Sequence, residues 1–60
     1  MDFSKLIKKY RNIKFLTQKD FAELLGVTNV TVNRWENKQN EPTMKQKRML
    51  YDLFKKEGLI

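Results

Sequence analysis

Residues 17–37, TQKDFAELLGVTNVTVNRWEN, limit what this chain can fold into more than any other stretch. The pattern predicts two short helices joined by a tight turn. Gln18 opens the first helix, Ala22 is small enough for a partner helix to come close, and Gly26 permits the positive φ that ends the helix. Val32 and Trp35 lie one helical turn apart and share an inward face of the second helix.

The flanks supply a frame for this pair. Phe3, Leu6, Ile7, Tyr10 and Ile13 recur at spacings of three and four, which predicts a helix from Phe3 to Lys14 with Asp2 or Ser4 as its cap. Lys5, Lys8, Lys9, Arg11 and Lys14 fill the rest of it as a basic, solvated face. Phe15 and Leu16 read as core residues in a short connection. Thr17 then caps the next helix, and Asp20 completes a capping box with its charge near the helix's positive end. Phe21, Ala22 and Leu25 form that helix's buried face, with Leu24 open to either side.

Residues 27–32, VTNVTV, carry a conflict, because their valines and threonines favour a strand. A helix over 28–37 rests instead on spacing and on Val32 with Trp35, so packing must override local preference. The polar loop KQNEP ends at Pro42. Thr43 and Gln46 form a capping box for a last helix running to about Glu57, whose stripe is Met49, Leu50, Leu53 and Phe54, with Met44 and Tyr51 at its margins. Gly58 suits the position after a helix end, and Leu59 can fold back on the last turn. The expected fold is all-α, a small four-helix bundle forming one domain over residues 1–60.

Composition decides what such a bundle can do. A chain of 60 residues buries only about 60% of the surface its unfolded form exposes, so stability is marginal. With no cysteine, neither disulfides nor a thiolate metal site can reinforce it. With no histidine, the usual general base, metal ligand and physiological pH switch are missing. There is also no phosphate-cradling glycine loop or paired-carboxylate constellation, so an enzyme is not expected, and no cofactor or small-molecule ligand is either. Thirteen basic and seven acidic residues give a net charge of +6, which favours nucleic acid first and an anionic membrane second. The basic first helix can lie on a membrane, but it leads into a stretch that demands packing. The opening MDFSKLIKKY does not read as a signal peptide, and no apolar run approaches membrane-spanning length, so a cytoplasmic location is the default.

The pattern LTQ…A..LGVT..TV.RWEN…P resembles the helix-turn-helix of the lambda-repressor-like, or Xre-type (Cro/C1-type), DNA-binding family. The resemblance makes Gln18 the start of the motif, Ala22 and Gly26 its small residues, and Val32 and Trp35 its apolar pins. It implies that Thr28, Asn29, Val30, Asn33 and Arg34 face DNA bases. Arg34 suits guanine, Asn29 or Asn33 adenine, and Val30 a thymine methyl. Each has a plainer alternative: Thr28 as helix cap, Asn29 as an ordinary polar residue, Asn33 on a phosphate, Arg34 as an exposed cation. The resemblance also places Gln18 on a backbone phosphate at a helix N-terminus, and Asn37, Lys38 and Asn40 on phosphates at the other side. Arg11 and Glu36 match positions that join helix 1 to the end of helix 3 through an ion pair. Trp35 belongs to the core rather than to base stacking.

Two departures stand out. Relatives commonly have glycine where this chain has Lys38, and lysine is strained if that position still needs positive φ. The family often has a fifth helix, whereas this chain has room for only one after Pro42, a shortened form of the fold. The function implied is a small DNA-binding transcriptional regulator, a repressor by preference, encoded by a prokaryote or phage and dimeric on a palindromic operator. Leu24, Met49, Leu59 or Ile60 would supply the dimer contact. The alternative is a protein-interaction or antitoxin-like module that keeps the fold.

Overall fold

The computed structural model describes residues 2–60. Four helices follow in order: α1 Phe3–Lys14, α2 Gln18–Leu25, α3 Asn29–Glu36 and α4 Met44–Lys56. The expected bundle and its bounds hold to within a residue or so, with no strand among the described residues.

Capping side chains start every helix. Asp2 accepts the Lys5 N–H, and Thr17, Thr28 and Thr43 accept the N–H groups of Asp20, Thr31 and Gln46. Reciprocal capping boxes form at Thr17–Asp20 and Thr43–Gln46. Each cap satisfies a backbone donor that the helix leaves orphaned, which is worth about 1 kcal/mol.

The helices also end alike. After each one a residue turns left-handed, and the next N–H reaches back to a carbonyl five residues earlier: Leu16 to Arg11, Val27 to Ala22, Gln39 to Arg34 and Leu59 to Phe54, all at 2.9 Å. This double turn stops the helix and returns the chain to the core. Glycine occupies the left-handed position in two cases, Gly26 and Gly58; Phe15 (φ 57°) and Lys38 (φ 60°) occupy it in the others. Lys38 itself therefore takes the conformation for which relatives use glycine. The turn also corrects the reading of Phe15 as core. Its backbone points the ring outward, 93% exposed, while the following Leu16 packs against the core.

That core comprises Ile7, Tyr10, Phe21, Ala22, Val32, Trp35, Leu50 and Phe54, at least one from every helix. The Tyr10 ring stands between Phe21 (5.7 Å) and Phe54 (6.1 Å), coupling α1 to both α2 and α4. Val32 is fully buried where strand propensity had competed. Leu25, Leu53 and Leu59 are only partly buried at its edge. Ile13, Leu24, Met44, Tyr51 and Ile60 are exposed, while Met49 and Leu59, read as open surface for a partner, are half-buried.

Phe15→Gly should stabilise the fold by up to about 1 kcal/mol, because left-handed strain is relieved and little packing is lost. Urea unfolding measures this; a loss of stability would mean that the exposed ring is held by contacts. Leu50→Ala should cost about 2–5 kcal/mol, enough to leave the domain largely unfolded by circular dichroism.

Candidate nucleic-acid interface

The two faces of α3 divide cleanly. Val32, Trp35 and Glu36 point inward and are buried, while Asn29, Val30, Asn33 and Arg34 are exposed on the opposite side. The expected base-facing residues are thus brought together as one surface. Arg34 has no ion-pair partner among the described residues, so its guanidinium fork is available for a planar acceptor pair. Val30 is 53% exposed, an apolar side chain between polar neighbours. Thr28 is the helix cap, its Oγ1 3.2 Å from the Thr31 N–H that it accepts and 3.0 Å from Thr31 Oγ1.

The inner face ends in a buried charge. Glu36 is 5% exposed and accepts two hydrogen bonds from Arg11, Nε to Oε2 at 2.6 Å and Nη2 to Oε1 at 2.8 Å. Arg11 Nη1 donates to the Leu16 carbonyl at 3.1 Å, which ties the pair to the α1–α2 turn. Gln18 Nε2 adds a third bond to Glu36, at 3.1 Å. The expected ion pair is therefore present, and it gathers α1, α2 and α3 on one carboxylate.

Electrostatics follows this geometry. Burial alone would raise the Glu36 pKa, but the hydrogen bonds from Arg11 and Gln18 outweigh it and hold the carboxyl below its ordinary value. Bonding to Glu36 raises Arg11 in turn. The Ser4 hydroxyl, then the Lys5 N–H, lower Asp2 to about 2, and the Thr17 backbone N–H lowers Asp20.

The four expected phosphate contacts differ in their surroundings. Gln18 is the first residue of α2, bonded on one side to Glu36 and on the other to Asn33 (3.4 Å). Asn37 directs its amide nitrogen to Asn33 O (2.9 Å) and Oδ1 (3.2 Å). Lys38 is exposed, with Nζ 3.6 Å from Asp2 Oδ2, a separation too loose and too wet to hold it. Lys38 and Asn40 line one shallow cleft with Asp2, Trp35 and Pro42. Lys19, which the motif does not single out, lines another beside Thr28 and Asn29; its place next to Gln18 in the first turn of α2 was the available signal. Among the described residues no three His, Cys, Asp or Glu converge as metal ligands, and no helix is long and apolar enough to cross a membrane.

A helix-turn-helix family profile matches residues 7–46, from the middle of α1 to the first turn of α4. No curated protein and no solved structure matches the chain.

Arg11→Ala should be more damaging than Glu36→Ala, because it strands a carboxylate whose side chain is 4% exposed, against 19% for the guanidinium. The expected cost is about 3–5 kcal/mol, near the whole stability of a small domain; equal costs in urea titrations would contradict the asymmetry. The carboxyls of Asp2, Asp20 and Glu36 are all lowered by folding. Their contribution is therefore complete above the unfolded values of about 4 and is lost as pH falls through the folded ones. The urea midpoint should hold from pH 7 to about 5 and fall below about 4; Glu36→Gln, where it folds, should show a shallower fall.

Proposed function

The chain belongs to the helix-turn-helix family of the Cro/C1, Xre-like type, a family of DNA-binding regulators, and from that premise we propose that it is a sequence-specific transcriptional regulator, a repressor acting by occupancy. The observation that carries this is the two-sided α3: its inner face is locked to α1 and α2 through Glu36, and its outer face presents Asn29, Val30, Asn33 and Arg34 unburied. A helix held this way fits the major groove of B-DNA, where base edges offer distinguishable donors and acceptors.

In this reading Arg34 forks onto a guanine, Asn29 contacts adenine, Val30 packs on a thymine methyl, and Thr28 adds a hydroxyl beside its capping role. Asn33 lies between base edge and backbone. Gln18 at the start of α2, with Lys38 and Asn40 beyond α3, contacts phosphates on either side, and the +6 charge draws the protein to the duplex. One eight-residue helix reads few bases, so two copies on a palindrome, with half-sites about 34 Å apart, are the expected assembly. Leu24 and Ile60 are exposed apolar residues available for the contact between copies. The whole chain acts as one DNA-binding unit, within the cytoplasm of a prokaryotic or phage-infected cell.

A second reading, a protein-interaction module, draws on Met44 and Tyr51, which are 84% and 44% exposed on the outer side of α4. Arg34→Ala separates the two. In a selection from randomised duplexes, the wild type should enrich a short palindrome, and Arg34→Ala should lose about 1–3 kcal/mol with relaxed preference at one base pair. Equal binding of all duplexes by both proteins, abolished by modest salt, would leave only nonspecific charge attraction and favour the interaction module.

A further inference from the structure

A carboxylate paired with a guanidinium is ionised and can only accept hydrogen bonds. Glu36 therefore dictates which end of the Gln18 amide faces it: the nitrogen, at 3.1 Å. Gln18 Oε1 must point the other way, where Asn33 Nδ2 approaches to 3.4 Å. That fixes Asn33 in turn, with Oδ1 toward Asn37 Nδ2 at 3.2 Å, and Asn37 also donates to the Asn33 carbonyl at 2.9 Å. Three amides thus line up head to tail from a buried charge to the exposed face of α3. An amide's oxygen and nitrogen are nearly equal in size, so the direction is set by the acceptor-only groups at the two ends of the chain, the Glu36 carboxylate and the Asn33 carbonyl, which agree.

We propose that Glu36, together with the Asn33 carbonyl at the far end, sets the donor direction of this amide chain, so that Gln18 and Asn33 each turn a free N–H toward DNA and pair with hydrogen-bond acceptors, while Asn37 positions Asn33 without touching DNA. The inference rests on the reading of α3 as the DNA-reading helix. The acceptor for Asn33 is either a purine N7 in the major groove or a phosphate oxygen. Both purines carry N7, so Asn33 does not separate adenine from guanine; a bidentate adenine contact would need its oxygen turned to the adenine amino group. Asn37 acts as a positioning residue, because both bonds from its amide nitrogen go to Asn33.

The test uses the full chain and the duplex it selects best. Affinities of wild type, Asn33→Ala and Asn37→Ala are measured across salt concentrations, on that duplex and on versions with a single purine N7 replaced by carbon or a single phosphate replaced by an uncharged methylphosphonate. The wild type should lose several-fold at several modifications, and at one of them Asn33→Ala should lose nothing further. A deaza position identifies the base edge as the source, and a methylphosphonate position the backbone. Asn37→Ala should weaken binding several-fold, blunt the same modification's effect and leave the effect of every other methylphosphonate position unchanged. Loss of the effect of a different methylphosphonate position in Asn37→Ala, with the Asn33-linked modification's effect intact, would make Asn37 a phosphate contact and overturn the proposal. The direction of the chain is read without DNA from NMR scalar couplings across the hydrogen bonds. Coupling from the Gln18 side-chain nitrogen to the Glu36 carboxyl carbon supports it, and coupling from that nitrogen to Asn33 instead overturns it. Absence of any selected duplex, with the first coupling present, would defeat the functional reading and leave the amide direction standing.

Discussion

One buried carboxylate carries the geometry of this protein. Glu36 sits at the end of α3, and its two oxygens accept three hydrogen bonds from two other helices. A buried ion pair is weak evidence of net stability, since desolvation offsets most of the attraction. Its value here is positional. An apolar contact in place of Arg11 and Glu36 would hold α3 against α1, but it would not fix the rotation of α3 or the direction of the Gln18 amide. The rest of the network agrees with that constraint: among the described residues, no buried side-chain nitrogen or oxygen lacks a partner.

The dependence runs from network to helix as well. A helix of eight residues is not stable alone, and α3 is further weakened by Val30, Thr31 and Val32 in succession. Each β-branched residue costs a helix roughly half a kcal/mol relative to alanine, so the run costs between 1 and 2 kcal/mol by that rough scale. Burying Val32 and Trp35 returns about 1.5–3 kcal/mol for a side chain of valine size, and more for tryptophan. Packing therefore wins over propensity, and the Thr28 cap adds to it. The same arithmetic explains why Val30, on the outer side, can remain exposed: its cost is met by its neighbours.

Much of this was legible in the residues. The capping pairs Thr17–Asp20 and Thr43–Gln46, glycine at 26 and 58, and the spacing of Val32 from Trp35 each have a local cause, and each appears where expected. The Arg11–Glu36 pair was legible only through the family resemblance, because a contact between residues 25 apart in sequence leaves no local mark. Phe15 was misread because hydrophobicity suggested burial, while the helix end it occupies turns the side chain outward. Propensity points to glycine there and cannot foresee a phenylalanine or lysine accepting left-handed strain. The bridge from Glu36 through Gln18 to Asn33 was also beyond the sequence, since it depends on amide orientation across two helices. What the outer face of α3 touches is a matter of chemistry that the fold frames and DNA must complete.

The most direct measurement is methylation interference on the duplex that the chain binds best. If α3 occupies the major groove, methyl groups at guanine N7, which project into that groove, should block binding at a few clustered positions, and those at adenine N3 in the minor groove should have little effect there. Interference confined to adenine N3, or spread evenly along the duplex, would contradict the placement of α3 on which the account depends.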